Sequence, residues 1–159
     1  MGKDIRFKTD EYNFHLRTVA VIVQNNKYLI QKVEGFDYYI LPGGHVELGE
    51  DSKKAIIREV KEEIGCDVKD LKLFCLYEHC YPYEDKIEHW VETYFKITPD
   101  NDLSNNSWNY LENDKGEEKL LHFKWVTSEE LKMLDFRPQN IKNILVNNKT
   151  NELIYLTDA

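Results

Sequence analysis

The run "LPGGHVELGEDSKKAIIREVKEEIGC", residues 41–66, constrains the chain more than any other stretch. Pro42, Gly43 and Gly44 favour a turn in which the backbone is bare and can be approached closely. A helix over Ser52–Ile64 follows, with Asp51 or Ser52 as N-cap and Gly65 as its stop. At about 100° per residue, Glu59, Glu62 and Glu63 fall within an arc of about 100°. Ile57, Val60 and Ile64 form a second stripe, expected to face the core, and Lys53, Lys54 and Lys61 lie mostly beyond it. A solvated face would account for a stripe of glutamates on an arbitrary helix. Like charges at this spacing cost roughly 0.2–0.5 kcal/mol per pair, however, and the lysines are placed elsewhere. A hard divalent cation, which takes oxygen ligands, would gain most from three such carboxylates beside a glycine-rich backbone.

The flanking sequence alternates strands with a few helices. "FHLRTVAVIVQ" and "KYLIQKVE" read as a hairpin joined by Asn25-Asn26, residues that tolerate the turn. "YYILP" reads as a short third strand, and further strands are expected at about 66–78 and 89–97. In the latter, Val91, Thr93, Phe95 and Ile97 share one face, and Trp90, Glu92, Tyr94 and Lys96 the other. Residues 98–118, with Asn105, Asn106 and Asp114-Lys115-Gly116, read as a polar loop. "LLHFKWV" is a strand, Thr127 and Glu130 have the capping-box spacing of a new helix, and Pro138 suits the first position of a last one. The tail "ELIYLT" reads as an edge strand that could pair with a second copy of the chain, making a homodimer. These elements predict an α/β fold, a mixed sheet between helices, in a single domain spanning 1–159.

The net charge of −8 argues against a protein that grips a nucleic-acid duplex through its phosphates. It is compatible with a small anionic substrate if a cation mediates. Cys66, Cys75 and Cys80 are odd in number and lack zinc-site spacing, so they read as reduced thiols. The charged N-terminus "MGKDIRFKTD" has no apolar signal-peptide core, and no run approaches the length of a membrane span. The expectation is a cytoplasmic protein without a membrane partner.

Gly44, five residues, Glu50, seven residues, Arg58-Glu59-Val60, one residue, Glu62-Glu63, one residue and Gly65 together resemble the box of the Nudix (MutT-like) hydrolases. Every fixed position agrees in type and spacing. The one departure is Cys66, where the family usually has Ile, Leu or Val, and a cysteine is a small buried hydrophobe. The likeness extends over about residues 14–147 in the order of its elements and leaves the tail, 148–159, uncovered.

The resemblance implies an α/β/α sandwich and a pyrophosphohydrolase that cleaves a nucleoside diphosphate linked to another moiety X. The substrate classes implied are nucleotides, nucleotide sugars, ADP-ribose and dinucleotides, with Mg²⁺ or Mn²⁺ as cofactor. Glu62 and Glu63 match the metal-binding pair, and the Gly43 carbonyl a backbone ligand. Glu59 matches a residue that binds metal or serves as base, and Arg58 the partner of Glu50 that orients the carboxylates. Family members often add a carboxylate from a later segment. Glu118 is the first choice here, with Glu117, Glu78, Glu88 and Glu92 as alternatives. The chemistry is coherent, because a dication offsets phosphate charge and acidifies water while a carboxylate accepts the proton. Trp90, Tyr94, Trp108 and Tyr110 could stack on a base or simply pack. A non-catalytic nucleotide-binding module and a prenyl-diphosphate isomerase on a related scaffold are the alternative readings.

Overall fold

The computed structural model describes residues 2–103, 107–114 and 116–158. The expected loop residues Asn105, Asn106 and Lys115 lie outside them. The strands are β1 (Arg6–Lys8), β2 (Tyr12–Gln24), β3 (Lys27–Val33), β4 (Gly43–His45), β5 (Val68–Tyr83), β6 (Lys86–Pro99), β7 (Trp108–Asp114), β8 (Glu117–Val126) and β9 (Ile154–Thr157). The helices are α1 (Ser52–Glu63), α2 (Ser128–Lys132) and α3 (Gln139–Val146). The sheet runs β7-β8-β3-β2-β6-β5-β9, with β1 and β4 paired to β2. It is mixed: β2 runs parallel to β6 and β9 to β5, while the other pairs are antiparallel.

Both faces of the sheet are covered, giving the α/β/α sandwich. On one side Ala20, Ile22, Leu29, Phe95, Ile97 and Phe123 pack with Ile56 and Val60 of α1. On the other, Val19, Val21, Ile30, Phe74 and Tyr94 pack with Leu131, Ile141 and Leu145 of α2 and α3. Strand alternation explains the division, since neighbours such as Leu29 and Ile30 point to opposite faces. Cys66, at the apolar position that closes the box, is 2% exposed in the α1 layer. All three cysteines are free thiols. Among the described residues no helix is long and apolar enough to cross a membrane.

The β2–β3 hairpin turns on Asn25 and Asn26, both at positive φ (53° and 60°), as a two-residue turn of this hand requires. Its ladder is short: only Val23↔Tyr28 and Gln24↔Lys27 pair. Beyond that the two strands part. β3 pairs with β8, and β4 enters to pair with Arg17–Val19 of β2. The seam that opens between them holds the acidic site.

Several expected elements differ. "YYILP" is not a strand: Ile40 and Tyr39 make single bridges to Gln31 and Phe136. Pro42 has no N–H to continue a ladder, and regular pairing begins only at Gly43. The expected loop 98–118 contains β7, an edge strand whose polar residues conceal it. Pro138 caps α3 rather than opening it. Thr127 and Glu130 do form a reciprocal capping box, with both bonds at 3.1 Å. β9 lies at the sheet's outer edge, with Tyr155 exposed.

Candidate active site

α1 begins where Asp51 accepts a hydrogen bond from the Lys54 amide (2.8 Å) and ends at Gly65, whose φ is +78°. Its inward stripe is Ala55, Ile56, Val60 and Glu63, all buried. The expected core stripe needs correcting: Val60 is inside, but Ile57 is 41% exposed and Ile56 takes the inward position. The helix is rotated toward its acids because the seam leaves room for Glu59 and Glu63 where an apolar contact was expected. Lys53, Lys54 and Lys61 are exposed.

Arg58 organises the acids around it. Its Nη2 donates to Glu50 Oε1 (2.6 Å) and its Nε to Oε2 (3.2 Å), a two-pronged grip. Nη2 also donates to the His45 carbonyl (3.2 Å), and Nη1 to Glu59 Oε1 (2.8 Å). Glu62 lies 3.5 Å from Nη1 and Glu47 3.6 Å. Glu50 accepts the Glu47 amide as well (2.9 Å), which ties the loop before α1 to the helix. The Arg58 hydrogen bonds hold the Glu50 carboxyl below its usual range, and Glu50 in turn raises Arg58.

His45, Glu47, Arg58, Glu59 and Glu62 line a cavity of about 540 Å³ with Gly43, Gly44, Glu63, Tyr110, Glu112 and Lys119. Burial raises Glu59 to about 7; Arg58 opposes the shift, and Glu62 and Glu112 add to it. Burial likewise pushes Glu63 well above the usual carboxylate range, reinforced by Glu59 and Glu112. Glu63 is 7% exposed and its Oε2 is buried without a hydrogen-bond partner. Both glycines are confined by close contacts, Gly43 by backbone and Gly44 by a side-chain end. A Cβ on Gly43 would lie 2.3 Å from the Thr18 carbonyl oxygen, and one on Gly44 2.3 Å from the Glu59 carboxylate.

Among the described residues no three acid, imidazole or thiol groups form a ready-made metal cage, and Glu59 is bonded to Arg58. The donor set nevertheless fits a hard dication. It is all oxygen, burial and then the neighbouring carboxylates raise the pKa values of Glu59 and Glu63, and one buried oxygen lacks any partner.

Glu50, Arg58, Glu59, Glu62, Glu63 and Gly43 are thus brought together. Glu118 is not among the cavity-lining residues; it is exposed on β8, paired across from Asn113. Glu117 is exposed at the same hairpin, opposite Asp114. Glu88 bonds His15 (2.9 Å), and Glu78 bonds the Tyr155 hydroxyl. Glu92 bonds Arg17 (3.1 Å) and His79 (2.7 Å) on the far side of the sheet from α1. A later segment does bring an acid to the cavity wall, Glu112 of β7, which sequence reasoning missed. The signal available was the alternation Trp108, Tyr110, Glu112 ahead of the Asp114-Lys115-Gly116 turn. Of the four candidate stacking residues, Tyr94 is core and Trp108 stacks on Phe123 (5.3 Å). Tyr110 lines the acidic cavity, and Trp90 lies face to face with His15 (3.8 Å).

A sandwich with a parted central hairpin, a glycine-rich strand and a carboxylate helix locked by one arginine defines a Nudix-type domain. The chain belongs to the Nudix family: the NUDIX domain matches residues 14–145. An ADP-ribose pyrophosphatase of Methanocaldococcus jannaschii is 35% identical over 79 residues, 48% of this chain and 46% of that protein. An 8-oxo-dGTP diphosphatase of Haemophilus influenzae is 34% identical over 73 residues, 42% of this chain and 54% of that protein. These matches therefore span about half of each relative. Among solved structures, a MutT protein from Bacillus halodurans superposes with a TM-score of 0.68 at 24% identity, covering 90% of this chain and 88% of that one. A Nudix hydrolase from Nitrosomonas europaea gives 0.64 at 19% identity, covering 88% and 93%. Both show the same fold.

Proposed function

We propose that the chain is a divalent-cation-dependent pyrophosphohydrolase acting on a nucleoside diphosphate linked to a further moiety. The observation that carries this reading is the stripe of Glu59, Glu62 and Glu63 facing Glu112 across one cavity, with the Glu63 Oε2 buried and unpaired. These carboxylates and the Gly43 carbonyl would hold Mg²⁺ or Mn²⁺. Such an ion offsets the charge of the phosphates and lowers the pKa of a bound water.

The chain's own residues do the rest. Arg58 fixes α1 to the Glu47–Glu50 loop and keeps the Glu59 carboxylate in place through Nη1. Lys119, on the β8 wall, supplies positive charge for a phosphate oxygen. Glu112 takes the place expected for Glu118, that of an added metal ligand or base, and serves as proton acceptor, because it shares the cavity and the field of Glu59 and Glu63. Glu59, near 7, is the second candidate for holding that proton. The names of the two curated relatives support a nucleotide substrate, and the acidic surface supports a small anion over a duplex. A cytoplasmic location accords with this reading.

The test is a hydrolysis screen of nucleoside triphosphates, nucleotide sugars, ADP-ribose and dinucleoside polyphosphates with Mg²⁺ and Mn²⁺. Metal-dependent turnover that is lost in Glu63→Gln supports the reading. A Glu62→Gln or Glu63→Gln protein with full activity on the best substrate would refute the assigned roles.

A further inference from the structure

A second cavity, of about 360 Å³, adjoins the acidic one and shares Gly43, Glu63, Glu112 and Lys119 with it. Its remaining walls include Val33, Ile40, Leu121 and the aromatic Phe36, Tyr38 and Trp90. These unshared walls are largely apolar where the first cavity is charged. Phe36 and Tyr38 meet edge to face (5.5 Å) at its rim. A flat ring suits such a slot.

One wall residue does not fit an apolar slot. Gln31, on β3, is 4% exposed, and its Oε1 is buried with no hydrogen-bond partner. Strand alternation turns its side chain to the same face as Leu29 and Val33, the face that α1 covers. The indole N–H of Trp90 is directed at the Tyr81 hydroxyl, outside this cavity. Of the buried side-chain polar atoms that lack a partner among the described residues, the Glu63 oxygen is assigned to the cation, which leaves Gln31 Oε1 as the one in this cavity's wall without an assigned role. Buried polar groups are nearly always satisfied, so this exception in a cavity wall marks where a ligand completes it.

We infer that this cavity receives the nucleobase of the substrate and that Gln31 reads an exocyclic amino group on it, as in adenine, guanine or cytosine. The inference rests on the pyrophosphohydrolase reading for where the phosphates lie. An orphaned acceptor calls for a donor, and an exocyclic amine directs N–H groups in the plane of its ring. A base with a carbonyl at that position would set oxygen against oxygen in a dry slot and leave both unsatisfied. Gln31 is then a specificity-determining residue, one strand away from the carboxylate helix.

The experiment is a calorimetric titration of the whole chain with AMP, IMP, CMP, UMP and base-free ribose 5-phosphate. It is run in Mg²⁺ and again in EDTA, for wild type and Gln31→Met. A monophosphate has no anhydride bond, so binding is read apart from turnover. AMP is expected to bind about tenfold tighter than IMP, and CMP than UMP, the worth of one satisfied hydrogen bond in a dry site. In Gln31→Met both ratios should fall toward one while ribose 5-phosphate binds as before. N6,N6-dimethyl-AMP, which lacks the N–H, puts the same question to the wild type without relying on the variant's folding, and should bind as weakly as IMP. Equal affinities within each pair, a preference for the carbonyl member, ratios that survive in Gln31→Met, or no gain of any nucleotide over ribose 5-phosphate would each overturn the inference. Amino-dependent binding without turnover of any pyrophosphate substrate would support the base assignment and sink the hydrolase reading alone.

Discussion

Gly44 of β4 and Glu59 of α1 touch across a gap that admits no β-carbon: one added to Gly44 would lie 2.3 Å from the Glu59 carboxylate. The neighbouring Gly43 is equally confined, but by backbone, with the Thr18 carbonyl oxygen at 2.3 Å. The difference separates two kinds of failure. Gly44→Ala displaces the end of one side chain, so it should keep its Tm within a few degrees and lose activity at least tenfold. Gly43→Ala must move β4 against β2 and should cost about 1–3 kcal/mol, several degrees for a domain of this size. Thermal melts beside kcat/KM for both variants check the contrast; equal loss of Tm in the two would contradict it.

Glu63→Gln should stabilise the cation-free protein at neutral pH. The folded pKa of Glu63 is raised well above the ordinary carboxylate range, and that of Glu59 is raised to about 7. The folded state therefore binds more protons than the unfolded one, and stability falls as pH rises from the ordinary carboxylate value through the folded one. In EDTA the wild type should lose Tm from about pH 5 to pH 8, and Glu63→Gln should lose less. Added Mn²⁺ should raise the wild-type Tm more than the variant's. A variant that gains as much from Mn²⁺ as wild type would remove Glu63 from the ligand set.

Glu112→Gln and Glu118→Gln should part company. Glu112 lines the cavity and should lower kcat about 100-fold or more when neutralised, as expected of a proton acceptor. Glu118 is exposed and should have no effect beyond twofold. Steady-state kinetics on the best substrate decide between them.

The buried pair on the other face of the sheet supplies acid sensitivity. Burial favours the neutral form of Glu92, but the hydrogen bond from His79 and the charge of Arg17 outweigh it, and its pKa is lowered. Its contribution is therefore complete above the ordinary carboxylate pKa and lost as pH falls through the lower folded value. Glu92→Gln leaves Arg17 without its buried counter-charge and should cost about 3 kcal/mol near neutral pH. Urea titrations at pH 7 and pH 3 should show that difference shrinking in acid; a constant difference would mean that charge is not the cause.

The parts legible in the sequence were those fixed by local rules. Asn25-Asn26 announced their turn, Thr127 and Glu130 their cap, and the Gly44–Gly65 spacing the carboxylate helix and its arginine. What stayed hidden depends on long-range packing. Ile57 and Ile56 are equivalent by composition, and only the seam beside Gly43 decides which points inward. β7 is polar because it is an edge strand, so it offers little apolar alternation beyond Trp108 and Tyr110. Glu112 reaches the site only because β7 folds back on β8, a pairing that no motif encodes. Gln31 looked like any polar residue within a strand, and its unmet hydrogen bond exists only in three dimensions.

The two-rung ladder between β2 and β3 has an evolutionary consequence. Because the strands separate so early, the carboxylates of α1 sit on one bank of the opening and the walls around Gln31, Phe36 and Tyr38 on the other. Mutations on the second bank can retune which molecule is accepted while the first keeps its reaction. A lineage built on this hinge-like gap can diversify its diet without reinventing its teeth.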